Sequence, residues 1–147
     1  MTKTIQTTKS KESFCQAVKI VSAAKNYLHE GWAKEELVKE NENGEESYCA
    51  LGAMEKAFGD DIGSESEISK TLFKNPYLFD AFKTVFRKEF KKARKDDSNE
   101  DDNDKVVLGE AIFTFNDDED TSKRMLTGRF KRVLTHLEKN APKSRSK

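Results

Sequence analysis

Long apolar runs are missing from this chain: no stretch approaches the ~18–20 consecutive apolar residues that a membrane-spanning helix needs. Met1 to Ser10 is polar and threonine-rich, so a secretory signal is not expected, and neither a membrane partner nor a classical export route fits. Cysteine occurs only at Cys15 and Cys49, each inside an apolar helical pattern and at none of the spacings of a disulfide framework or a zinc finger. A soluble protein of the reducing cytoplasm is the expectation. Net charge is missing too. The 27 basic and 27 acidic side chains cancel, so only their distribution can point to a charged partner. There is no phosphate-cradling glycine loop, no metal-ligand set, no nucleophile signature and no internal repeat, so no cofactor and no metal are expected.

Apolar residues make up 35% of the chain, against about 45–50% in ordinary globular domains, yet ten phenylalanines carry much of that fraction. A small, aromatic-rich core under a highly charged surface follows. At 147 residues one domain is expected rather than two. The spacing of the apolar residues makes it an all-α domain: a single compact unit of five or six helices with a flexible acidic loop. In this reading residues 1–9 are a disordered lead, 10–139 the helical domain, 96–104 the acidic loop inside it, and 140–147 a basic tail.

Tyr48-Cys49-Ala50-Leu51-Gly52-Ala53-Met54 is the stretch around which the rest is expected to pack. Glycine within a helix costs about 1 kcal/mol relative to alanine, so Gly52 is expected where another backbone comes very close. Ahead of it, Phe14, Ala17, Val18, Val21, Ala24 and Leu28 mark one face of a first helix that ends at Gly31, with Trp32 immediately beyond. Residues 33–47 read as a short helix or irregular arm followed by an Asn43-Gly44 turn, and Ser47 can cap the central helix, which stops at Gly59. A short third helix carries Ile68, Leu72 and Phe73 and ends before Asn75-Pro76. Pro76 opens a long fourth helix through Ala93, with a phenylalanine-rich stripe expected to pack on the central helix and the last one. A fifth carries Val107, Leu108, Ala111, Ile112 and Phe115, although Val106 to Leu108 and Phe113 to Phe115 alone could pass for strand, with Asn116 as a left-handed cap. A last helix begins at Asp120 or Thr121 and buries Met125, Leu126, Phe130, Val133, Leu134 and Leu137.

Trp32 after the first helix, Gly44 in a loop, the 48–54 stretch, Leu108-Gly109, Phe115-Asn116-Asp117 and Thr121 together resemble a family of small bacterial and phage proteins of uncharacterised function. Its members carry an aromatic-Cys-x-x-Gly-Ala helix followed by an aromatic-Asn-Asp turn. Tyr48 and Phe115 stand where the family tends to have tryptophan. The resemblance covers the first two helices and residues 108–134, and it implies a helical fold and no particular reaction.

Four candidate sites follow. Trp32, Tyr48, Asn116 and Asp117 are expected to meet on one side of the central helix, with Asp117 accepting the Trp32 N–H or free backbone amides, as a ligand or partner site or as a structural tie. Cys49 could act as a nucleophile with His29 or His136 as base and Asp117 as orienter, but a helix cysteine among alanine and glycine is read as buried and inert. The carboxylates of 117–120 lack the alternating ligands of a calcium loop and are read as a solvated loop. Lys83, Arg87, Lys88, Lys91, Lys92, Arg94 and Lys95 form a basic surface, joined by Lys123, Arg124, Arg129, Lys131 and Arg132, and are read as a solvated face screened by the acidic stretch. The function expected is that of a non-catalytic accessory protein of a phage or bacterium that binds a partner macromolecule, a host protein in host takeover or anti-defence. The alternatives are a small enzyme using Cys49, or a nucleic-acid-binding protein using the basic faces of 83–95 and 123–132.

Overall fold

The computed structural model describes residues 11–34, 37–59, 61–96 and 103–142. Among them are seven helices and one antiparallel pair of strands: α1 (Lys11–Glu30), β1 (Val38–Glu40), β2 (Glu46–Tyr48), α2 (Ala50–Phe58), α3 (Glu65–Leu72), α4 (Pro76–Val85), α5 (Arg87–Asp96), α6 (Asp104–Asp117) and α7 (Lys123–Lys139). The chain is mostly helical, as its spacing predicts, but with seven helices rather than five or six. The lead 1–9, residues 97–102 of the acidic stretch and residues 143–147 of the tail lie outside the described residues. The two ends of the stretch read as acidic loop are helical, for Asp96 closes α5 and Asp104 opens α6, where the Asn103 side chain accepts the Lys105 N–H at 3.0 Å as the cap.

The segment read as a short helix or irregular arm is a hairpin. Val38 pairs with Tyr48 and Glu40 with Glu46, and the Asn41 carboxamide oxygen receives the N–H groups of Asn43 and Glu45 at 2.8 and 3.0 Å. Gly44 takes φ +82°, which side chains disfavour. The strands are too polar to show an apolar alternation, and backbone bonds hold them. The Tyr48 N–H donates to Gly31 O at 2.8 Å and the Ala33 N–H to Tyr48 O at 2.9 Å, so the hairpin is stitched to the end of α1.

Helix α2 occupies the centre: Ala50, Leu51, Gly52, Ala53 and Met54 are fully buried, and α1, α3 and α6 pack around it. Cys49, not Ser47, caps it, its sulfur accepting the Gly52 N–H at 3.3 Å. The Cys49 N–H in turn donates to Leu37 O at 3.1 Å, which draws the incoming strand across the helix start. A β-carbon added to Gly52 would collide with that same Leu37 carbonyl, so the glycine stands at the close backbone approach its position implies. Gly59 closes the helix in the left-handed conformation, at φ +99°.

The long fourth helix is interrupted at Phe86, which raises the helix count. Arg129 of α7 donates to Val85 O at 3.4 Å, the carbonyl an unbroken helix would offer to residue 89, and side-chain insertion into the backbone ladder is a recognised cause of a break. Around the break the phenylalanines interlock. Phe82 meets Phe73 at 5.7 Å, Phe86 at 5.9 Å and Phe130 at 5.3 Å between ring centroids, and Phe86 meets Phe115 at 5.5 Å. Such pairs add about 0.5–1.5 kcal/mol each beyond their burial. Through α4 the stripe packs on α7 and α1, and through α5 on α6, rather than on α2. Met125, expected in the core, is 47% exposed.

Two glycines give opposite expectations. Gly52→Ala should destabilise the fold by about 1–3 kcal/mol, because the methyl meets backbone that cannot rotate away. Gly128→Ala, in mid-α7 with nothing within 4 Å of the added carbon, should stabilise it by about 0.5–1 kcal/mol. Urea unfolding of the two variants beside the parent checks both.

Candidate functional site

Trp32, Tyr48, Asn116 and Asp117 do come together beside the start of α2, but Asn116 rather than Asp117 makes the tie. Its carboxamide oxygen accepts the Trp32 indole N–H at 2.8 Å and the Ala50 N–H at 3.0 Å. Its nitrogen donates to Ala33 O at 3.1 Å and to an Asp117 carboxylate oxygen at 3.0 Å. The side chain of Asn116, with 0% exposure, thus meets four partners, the full capacity of an amide with two acceptor and two donor positions. Asn116 lies within α6 and is not its left-handed cap; the helix ends at Asp118 in extended geometry. Tyr48 pairs through its backbone with Trp32, and its hydroxyl donates to Glu46 at 2.6 Å. Burial, and then Glu46, push that hydroxyl's pKa up to about 12.

Cys49 sits one residue from this tie. Burial pushes its thiol up to about 11, outweighing the Gly52 N–H that its sulfur accepts as the cap of α2, so a neutral thiol is the resident species at physiological pH. His136 lines a groove on the α4–α5 side and His29 is exposed at the end of α1. Asp117 and Glu65 are the charged groups that act on the Cys49 thiol, and both push its pKa upward.

The basic surface divides into cations that serve the fold and cations that face out. Arg129 grips Glu89 with both guanidinium nitrogens, at 3.0 and 2.8 Å, while its plane lies 4.2 Å from the centroid of Phe115. Burial raises the Glu89 pKa, but the Arg129 hydrogen bond and charge outweigh it and leave the carboxyl below its ordinary value. Lys123 donates to His29 O at 2.7 Å, and Arg94 pairs with Asp104 at 2.8 Å. Lys83 is seated over the rings of Phe79 and Phe90, at 5.4 and 5.3 Å. Arg87, Lys88, Lys91, Lys92 and Lys95 are exposed.

A groove of about 810 Å³ runs between α5, α6 and the loop 118–122. Its cations, Lys88 and Lys92, come from α5. Its carboxylates come from α3 (Glu65), α6 (Glu110) and the loop (Asp118, Asp120), apart from Glu89, which Arg129 holds. Phe113, Phe115, Ala93 and the exposed Met125 give it an apolar lining. Burial, followed by the fields of Asp117 and Glu110, raises the pKa of Glu65. Most of these residues escape sequence reasoning, because they are scattered over four helices and a loop. Met125 keeps core spacing in the sequence, and only the tertiary structure leaves it outside.

The site therefore belongs to a mostly helical chain with two charged grooves and a buried amide tie, and no metal-ligand cluster occurs among the described residues. No family model, no curated protein and no solved structure matches the chain.

Asn116→Ala should cost about 3 kcal/mol, because it strands the Trp32 and Ala50 donors and the Ala33 acceptor in the interior. Asp117→Ala, which removes a half-buried partner of that amide, should cost less, and thermal unfolding of the pair measures the difference. Iodoacetamide on native protein should modify the exposed Cys15 rapidly and Cys49 only on the time scale of unfolding, as read by peptide mass mapping.

Proposed function

We propose that the protein is a non-catalytic binding protein whose groove between α5, α6 and the loop 118–122 receives a segment of a partner protein. The observation that carries this reading is the combination of an apolar lining with charges of two signs from separate elements, Lys88 and Lys92 on one hand and Glu65, Glu110, Asp118 and Asp120 on the other. The carboxylates outnumber the ammonium groups, so the segment that fits has an apolar anchor for Met125 and Phe113 and basic residues toward the loop. Apolar anchors supply most of the affinity in such contacts, and the surrounding charges supply orientation and rate. The resemblance carried by Trp32, the 48–54 stretch and Phe115-Asn116-Asp117 supports a setting in a bacterium or phage, with a host protein as partner in the cytoplasm. The tie at Asn116 braces the groove from behind, since α6 ends and the loop after it begins beside that residue.

Selection of a random displayed peptide library on the immobilised protein tests the proposal. The expected binders combine an apolar residue with Lys or Arg, and they weaken at least ~10-fold on Met125→Glu or Asp120→Lys, as the loss of one anchor or one charge pair implies. Binders without that bias, or binding untouched by both substitutions, would overturn it.

A further inference from the structure

The opposite side of α5 forms a second groove, of about 540 Å³, independent of the first. Lys83, Arg87 and Lys91 line it along α4 and α5, four residues apart, which sets them on one side of the rod at intervals of ~6 Å. The break at Phe86 does not disturb this row, because the Phe86 N–H still bonds Phe82 O and the Phe90 N–H bonds Phe86 O, both at 2.8 Å. His136 of α7 supplies the facing wall, and helical spacing sets the exposed Arg132 and Lys139 on the same side of α7, one turn before and one turn after it. Two basic rows thus flank one channel, with Asp80 the only carboxylate among its described lining residues.

Two features make this more than a solvated face. Glu89, the single acid among residues 87–95, is turned toward α7 and neutralised by Arg129, so residues 87–95 offer the channel no compensating charge. Lys83 is held in place over two aromatic rings, so its ammonium group is positioned before any ligand arrives. Phe90 is the only apolar side chain among the described lining residues and is itself buried, so they offer a protein segment no anchor. A ligand made of regularly spaced anions suits such a channel better, because each cation meets a charge and no apolar contact is required.

We infer that this channel between α4–α5 and the carboxy-terminal half of α7 binds the phosphodiester backbone of a nucleic acid, without base recognition. Arg87, Lys91 and Arg132 make the direct phosphate contacts, and Lys83 and the Thr84 hydroxyl orient the strand at the groove's near end.

Fluorescence anisotropy with one labelled sequence, as single-stranded DNA, as duplex DNA and as RNA, tests the inference. With about four phosphates contacted, affinity for the preferred form should fall on the order of 10²-fold between ~50 and ~200 mM salt. Arg87→Glu with Lys91→Glu should abolish binding at ~200 mM salt and flatten the salt slope by about 2. Lys88→Glu with Lys92→Glu changes the net charge equally but faces the other groove, and should retain most of the affinity. The preferred form among the three identifies the nucleic acid. Equal weakening by the two double variants would reduce the effect to overall charge and overturn the inference. So would failure of all three probes to bind at ~50 mM salt, or binding of polyglutamate as tight as that of the best nucleic acid.

Discussion

The buried carboxamide of Asn116 is the contact on which the arrangement of this protein depends. It joins three segments far apart in the chain: the strand-like exit of α1 at Trp32 and Ala33, the first amide of α2, and the end of α6. Each of these groups would otherwise be an unpaired donor or acceptor away from water, where the desolvation cost is about 1–3 kcal/mol apiece. No other side chain of similar size can replace it. A carboxylate cannot donate to Ala33 O and would face Asp117, and an aliphatic residue would satisfy none of the partners. Cys49 completes the arrangement by capping α2, which gives the thiol a structural task.

A second constraint, the grip of Arg129 on Glu89, shapes the surface. It draws the only acid of residues 87–95 into contact with α7, sets the guanidinium against Phe115, and engages Val85 O where α4 gives way to α5. Helix α5 is left as a partition with cations on both sides. On one side they oppose carboxylates across an apolar lining; on the other they join further cations from α4 and α7. One helix thereby separates two surfaces of unlike chemistry in a chain whose formal charge is zero.

The two surfaces also differ in what they would ask of a ligand. The groove beside Met125 has apolar area to bury and charges of both signs to set a direction, which suits a folded or folding protein segment. The channel beside His136 has a single apolar side chain among its described lining residues, the buried Phe90, and charges chiefly of one sign, which suits a polyanion and makes binding depend on salt. Arg129 braces the helix that stands between the two surfaces.

What the sequence by itself determined is the class of the fold and most of its helices. Apolar residues at helical spacing, the Gly59 stop and Pro76 start are local, and local physics decides them. The central place of α2 and the tight packing at Gly52 were also legible, because a glycine inside an apolar helix weakens that helix unless a close backbone contact offsets the loss. The hairpin at 38–48 was not, since its strands are polar and are held by backbone bonds to residues outside them. Nor was the exchange of roles between Asn116 and Asp117. Adjacent positions on a helix point about 100° apart, and which one faces Trp32 depends on how α6 lies against α2. The break at Phe86 and the two grooves were likewise decided by tertiary structure. Both depend on where Arg129 lands, and a charge in sequence carries no record of the partner that will neutralise it.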